Sequence, residues 1–280
     1  MATSETKKGR RVSSLPRKAI KAAVLPMGAL RPRRTGDVVV LLYHRIGTGD
    51  REIDLPADLF EEHLRILKRK DRILSLDAAL SDEEGGVVLT FDDGYRDFDE
   101  HVVPLLERYQ VPALLYLATG LVAGTDEDLG EDALTWPMLE RAISTGLVTV
   151  GAHTHNNTNL AEASEGEAAV EMRMSKDLVE QRLGVVCRHF AYPWSVGSAG
   201  ARRAARHLFD SSALDSWKTN RRGAIDPQRL GRTPILRSDG IRFFRAKTLG
   251  LLDFEAIAYR LARRGPWRAN DELVAARPPR

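Results

Sequence analysis

Two aspartates in tandem, Asp92 and Asp93, close the apolar run VVLTF at residues 87–91. Adjacent carboxylates at the end of a buried run are disfavoured unless a metal ion or another cation neutralises one of them. Such a pair suits a divided task, in which one carboxylate ligates a metal and the other stays free as a base. The alternative is a pair of solvated turn residues, because Gly94 follows and Asp-Gly is a common turn signal. A second polar cluster ends another apolar run: His153 follows LVTVGA, and His155, Asn156 and Asn157 come directly after Thr154. A lone histidine is more often a satisfied structural residue, but two His and two Asn within five positions at a strand end weigh toward a metal site. Residues 153, 155 and 157 share parity, so an extended segment would present all three to one side. Tyr43 and His44 close a third run, and Tyr192, Pro193 and Trp194 a fourth.

The elements that must carry these residues are legible from hydropathy. VVVLLY (38–43), VVLTF (87–91), ALLYLAT (113–119), LVTVGA (147–152) and VVCRHFAY (185–192) are short, continuous and rich in β-branched residues, as strands buried on both faces are. Amphipathic helical patterns lie between them: DLFEEHLRILKR, FDEHVVPLLERY, WPMLERAIS and EGEAAVEMRMSKDLVEQRL. The last opens with a capping box, Ser164 and Glu167. Strand and helix alternating at least five times predict parallel strands joined by crossover helices. In a parallel α/β barrel the C-terminal strand ends share one face, so the four polar clusters should converge there.

The chain has 280 residues, 43% hydrophobic and 29% charged, which suits one large α/β domain with tails. Its net charge of +3 is uneven: residues 1–35 carry ten Lys or Arg against Glu5 alone, a local +9 that leaves −6 elsewhere. We divide the chain into a basic flexible arm (1–36), a catalytic domain (37–252) and a C-terminal helix and tail (253–280). The arm is expected to be solvated and mobile, with weak contact to an anionic membrane surface as the alternative. RKAIKAAVLPMGAL would be an interfacial helix cut short by Pro26 and Gly28. Nucleic acid is not expected as a partner, since no groove-reading motif or interleaved aromatics accompany the basic residues. No apolar run is long enough for a membrane span and no export signal is visible, so the expected location is cytoplasmic or membrane-peripheral. Cys187, the single cysteine, has apolar neighbours and reads as a buried thiol.

Together these motifs resemble the polysaccharide deacetylases with a NodB-like domain, carbohydrate esterase family four. TFDDG at 90–94 is identical to that family's first motif, GAHTHNNTNL at 151–160 is similar to its second, and FAYPW at 190–194 looks like a variant of its third. Leu42, Tyr43 and His44 in LLYHRIG resemble the leucine-any-histidine motif moved to the front, as in the permuted subgroup of exopolysaccharide N-deacetylases. The resemblance spans about residues 38–250. It implies a single-domain distorted (β/α) barrel of about seven parallel strands and metal-dependent hydrolysis of the acetamide of an N-acetylated sugar. It further implies that Asp93 and His153 hold a divalent metal, zinc in the usual case, that Asp92 is the general base and that His44 is the general acid. The Trp194 main-chain N–H would bind the oxyanion, beside Tyr192 and Pro193.

The sequence departs from the family at two places that bear on this chemistry. The family's third metal ligand is the second His of HTxxH, where this chain has Asn157. An amide oxygen is a neutral, harder and weaker ligand than imidazole, which shifts preference toward harder ions. Either Asn157 ligates, or His155 substitutes, or the site binds metal poorly and the protein is a carbohydrate-binding relative that has lost efficient turnover. The second departure is Ala191, where many members carry an Arg that pairs with the base. Arg232, in LGRTPILR, is the candidate replacement. Asp215 and Trp217 faintly resemble the family's fourth motif, and Trp217 could stack on a sugar ring.

Overall fold

The computed structural model describes residues 15–262 except 31–32, 48, 82–83, 123–129 and 215. Chain order begins with α1 (Leu15–Ala29), β1 (Val38–Tyr43) and the two-residue strands β2 (Arg45–Ile46) and β3 (Asp54–Leu55), followed by α2 (Ala57–Lys70) and α3 (Leu76–Ser81). The middle comprises β4 (Gly86–Asp93), α4 (Val103–Tyr109), β5 (Ala113–Leu117), α5 (Trp136–Ser144), β6 (Val148–Ala152) and α6 (Glu165–Leu183). The chain then forms β7 (His189–Ala191), α7 (Ala199–Leu208), β8 (Ser211–Leu214), β9 (Leu230–Pro234), α8 (Gly240–Thr248) and α9 (Glu255–Ala262). Strands β1, β4, β5, β6, β7, β8 and β9 close into a barrel, and every pairing is parallel. The seven-stranded barrel expected from the resemblance is therefore present.

The period of two along each strand sorts side chains into two cores. Val38, Val40, Val88, Leu114, Tyr116, Ala191, Ala213 and Leu230 fill the barrel interior. Val39, Leu41, Tyr43, Val87, Leu89, Phe91, Leu115, Val150 and Phe190 face outward beneath the helices. Continuing the inward parity carries Asp92, His153 and Arg232 to the interior at the C-terminal strand ends. Register agrees, with Asp92 opposite Tyr116, Tyr116 opposite Gly151 and Val40 opposite Arg232. Gly151 is required in that layer because a Cβ would meet the His189 carbonyl at 2.7 Å and the Tyr116 ring at 2.9 Å.

Two elements differ from expectation for identifiable reasons. The run VVCRHFAY contributes only His189–Ala191 to the sheet, because the Cys187 main chain is taken by α6: its N–H donates to Glu180 and its carbonyl accepts from Lys176. The FDEHVVPLLERY helix opens with a wide π turn over Phe98–Val102. Pro104, lacking an N–H, cannot close the ordinary hydrogen bond there. The capping box on α6 is formed as expected, between Ser164 and Glu167. Cys187 is buried, and burial pushes its thiol up to about 12.

Part of the segment read as a flexible basic arm is a docked helix. α1 runs through Pro26 rather than stopping there, and Val24 packs with Phe243, Ala246 and Leu252. Lys21 is fully buried and bonded to Asp239. Lys247 donates to the same carboxylate at 2.8 Å and to the Pro234 carbonyl at 2.6 Å, and Glu255 lies 3.7 Å from both ammonium groups. Two cations and two carboxylates thus neutralise each other under α1, α8 and α9, which makes burying Lys21 tolerable. Residues 1–14 and 263–280 lie outside the described residues. No helix among those described is long and apolar enough to cross a membrane.

Candidate active site

Asp92 and Asp93 both reach the barrel mouth although neighbouring strand residues normally point to opposite faces. Asp93 adopts φ 76°, a left-handed conformation that turns its side chain back toward the mouth. Asp92 is 3% exposed and meets Arg232, 1% exposed, through two parallel bonds of 2.6 and 2.8 Å. Burial alone would raise the Asp92 pKa. The Arg232 guanidinium above all, with His153 and His44, outweighs it and holds the carboxyl below the usual range. Arg232 is thus the cationic partner that the missing third-motif arginine required. Its guanidinium also lies 5.2 Å from the centroid of the Tyr116 ring.

His153 directly follows β6. Its Nδ1 donates to the Ala191 carbonyl at 2.9 Å, which in the neutral ring is the tautomer with the lone pair on Nε2. That Nε2 lies 3.6 Å from Asp93 Oδ1 and 3.8 Å from Asp92 Oδ2. Two donors sharing one metal at ordinary ligand distances sit about 3.0–3.5 Å apart, so the Asp93 and His153 atoms suit a common ion with little movement. Asn157 completes the corner: its Nδ2 donates to Asp93 Oδ1 at 3.3 Å. Half a turn of the same amide presents its oxygen instead, the atom a divalent cation would take.

His155, the alternative third ligand, is directed elsewhere. Its Nδ1 pairs with Thr119 Oγ1 at 2.9 Å, and its carbonyl accepts from Gly120 N at 2.7 Å. The shared parity of 153, 155 and 157 fails because the segment is not extended: Thr154 and Asn157 have φ of 60° and 50°. Among the described residues, no group of three or more His, Cys, Asp or Glu side chains is arranged to hold a metal. Of the two side chains proposed for the third corner, Asn157 is the one the structure places against Asp93.

His44 is half-buried just beyond β1, near enough to Asp92 to contribute to lowering its pKa, and so lies at the same mouth. Trp194 sits in a left-handed turn, φ 60°, and its indole Nε1 donates to the Asn157 carbonyl at 3.0 Å, joining the second and third motifs. Pro193 is buried at the start of that turn. Tyr192 is not a substrate contact: its ring is buried in the outer core, edge-on to Phe190, because the strand's parity turns it outward. Trp217 is 4% exposed with the Lys247 ammonium 5.5 Å from its ring centroid, so it lacks the open face that stacking on a sugar needs. Asp215 lies outside the described residues.

Three neighbours went unrecognised in the sequence. Tyr116 packs under the Arg232 guanidinium, and its position two residues beyond Leu114 on an inward-facing strand was the available signal. Arg45, next to His44, pairs with Asp97 at 2.9 Å and Asp132 at 3.2 Å and covers the Tyr95 ring. Glu171, on α6, accepts from the His155 and Asn156 main-chain N–H groups at 3.0 and 2.9 Å and from Asn156 Nδ2 at 2.9 Å. Nothing local in the sequence marks it.

The mouth of a closed parallel barrel thus gathers an arginine-held aspartate, a second aspartate and a histidine bonded to the neighbouring strand. Residues 80–208 match the family described as Polysaccharide deacetylase, in agreement with the resemblance carried by the sequence motifs. The putative polysaccharide deacetylase YxkH of Bacillus subtilis is 25% identical over 172 residues, 59% of each chain. A poly-beta-1,6-N-acetyl-D-glucosamine N-deacetylase of Staphylococcus aureus is 26% identical over 152 residues, 49% of this chain and 52% of that one. The chain thus spans about half to three-fifths of the length of these curated relatives. Among solved structures, IcaB from Ammonifex degensii superposes with TM-score 0.68 at 24% identity, over 77% of this chain and 98% of that one. The Streptococcus pyogenes deacetylase PplD, in complex with acetate, gives 0.67 at 24% identity, over 77% and 99%. At these identities the superpositions establish the shared fold.

Proposed function

We propose that this protein hydrolyses the acetamide of N-acetylated hexosamine units in a glycan, with water as co-substrate and acetate and a free amine as products. The observation that carries the reading is the Asp92–Arg232 pair beside His153. A buried carboxylate is kept ionised by two short hydrogen bonds while the neighbouring imidazole, held through Nδ1 by the Ala191 carbonyl, turns its Nε2 toward both aspartates. Asp93, His153 and Asn157 would hold a divalent cation, which supplies Lewis-acid polarisation of the acetamide carbonyl and a more acidic water. Asp92 removes the proton from the attacking water, and Arg232 keeps it from taking that proton too early. The Trp194 main-chain N–H, presented by its left-handed turn, bonds the developing oxyanion. His44 protonates the amide nitrogen as its bond to the carbonyl carbon breaks, a contribution on the order of a hundredfold or more. Family resemblance and the staphylococcal relative's named substrate support a poly-N-acetylglucosamine type of polymer as the first glycan to test.

The test is acetate release from N-acetylglucosamine oligomers by the full chain, loaded in turn with zinc, cobalt and manganese. Turnover is expected with at least one metal, and Asp92→Asn should abolish it while metal stoichiometry is unchanged. No acetate with any metal or oligomer would overturn the reading. The second reading, a carbohydrate-binding protein without efficient turnover, is favoured by Asn157 itself. If it holds, Asn157→His creates turnover where the native chain has none. If the native chain is already active, the same substitution should tighten zinc binding.

A further inference from the structure

The segment that presents Asn157 is conformationally unfavourable on its own. It enters a left-handed conformation at Thr154 and again at Asn157, which residues with a Cβ adopt reluctantly. Something outside the segment must hold it. One fixture is Trp194, whose indole N–H reaches the Asn157 carbonyl. A second is the Thr119–Gly120 corner, which bonds the His155 ring and carbonyl, and a third is Glu171, a half-buried side chain fifteen or so positions away in sequence, with both carboxylate oxygens engaged by the segment. Three N–H donors on one carboxylate make a charge-assisted clamp, stronger and geometrically stricter than neutral hydrogen bonds. It acts at His155 and Asn156, two of the three residues between His153 and Asn157. With those two peptide N–H groups held by α6, the His155 ring is directed to Thr119 and the Asn157 amide to Asp93.

We propose that Glu171 is a positioning residue for the third corner of the site: acting through the 155–157 turn, it holds the Asn157 amide against Asp93 and keeps His155 out. This rests on the reading that Asp93, His153 and Asn157 bind a divalent cation. A neutral amide is a weak ligand, so its contribution depends on being held in place before the ion arrives. A clamp of this kind compensates for the loss of the imidazole that the family places there.

The experiment is a Co2+ titration of the full chain, followed by calorimetry and by the visible absorption of the bound ion. The proteins are the native chain, Glu171→Gln, Asn157→Ala and the double variant, with circular dichroism confirming that each is folded. Glu171→Gln keeps the size of the side chain but puts an N–H donor where an acceptor is needed. It is expected to weaken Co2+ binding by roughly 10–100-fold, and to have no further effect in the Asn157→Ala background. A purely structural role would lower the melting temperature equally in both backgrounds and leave Co2+ affinity unchanged. Asn156→Ala, which removes only the side-chain donor to Glu171, should give a smaller loss in the same direction and serves if Glu171→Gln does not fold. Unchanged Co2+ affinity in Glu171→Gln or Asn156→Ala, or an equal loss with and without Asn157, would overturn the assignment. Absence of Co2+ binding by the native chain would overturn the cation reading itself, and the two failures are thereby distinct.

Discussion

Replacing Arg232 by Met tests the arrangement at its most constrained point. The guanidinium is 1% exposed and binds Asp92, itself 3% exposed, through bonds of 2.6 and 2.8 Å. Met fills much of the same space but leaves a buried carboxylate without its cation. Breaking a buried pair from one side costs about 3–5 kcal/mol, which for a chain of this size lowers the melting temperature by about 10 °C. The loss should depend on pH in a defined sense. In the native protein burial pushes the Asp92 pKa up, but Arg232 and the nearby histidines hold it below the usual range. The pair's stabilisation is therefore fully present above the unfolded value of about 3.9 and fades only as pH falls through the lower, folded value. In Arg232→Met the burial effect is left largely unopposed and the folded pKa rises above the unfolded one. The variant's penalty is then complete at neutral pH and shrinks as pH falls toward about 4. Urea denaturation at pH 7.5 and pH 4.5 measures both: the gap to the native protein should be wide at the first and narrower at the second. Asp92→Leu combined with Arg232→Met, which removes both charges, should recover more than half of the loss. A single variant within about 1 kcal/mol of native at pH 7.5, the range of an exposed pair, would refute the reasoning, as would a gap that does not close in acid.

Two further outcomes follow from the buried groups around α8. Lys21→Met should destabilise the protein by about 3–5 kcal/mol, because it leaves Asp239 and Glu255 facing Lys247 alone; adding Glu255→Leu should restore much of it in a thermal melt. His63 is buried with its ring stacked on Phe244 at 3.6 Å, and burial lowers its pKa to about 3. The unfolded chain therefore takes up a proton near pH 6.5 that the folded one refuses, and stability falls as pH drops between those values. His63→Phe should flatten that part of the pH–stability profile, and an unchanged slope would show that His63 does not set it.

The barrel was legible because its strands are continuous apolar runs, a pattern that survives without any tertiary information. VVVLLY became β1 over the same residues, and the first-motif run was only extended, to Gly86 at one end and Asp93 at the other. The run at 185–192 was overestimated because hydropathy does not reveal where main-chain hydrogen bonds go, and α6 side chains take those of Cys187. The arm at 1–36 was read from its charge, yet Lys21 is buried. Its partners Asp239 and Glu255 lie more than two hundred residues away, beyond the reach of any local pattern.

For the site, residue types and order were enough to nominate Asp92, Asp93, His153 and His44, since chemistry at strand ends is written in short motifs. Parity could carry Asp92, His153 and Arg232 to one interior, but only the closed barrel brings β9 beside β1 and so places Arg232 on Asp92 across 140 positions. Parity gave no means of choosing between His155 and Asn157. That choice depends on two left-handed residues and on Glu171, a helix side chain reaching back to the loop. Local sequence specifies which groups are available and which face of a strand they occupy. Which of them meet is a property of chain closure and loop conformation, both set by contacts between residues distant in sequence.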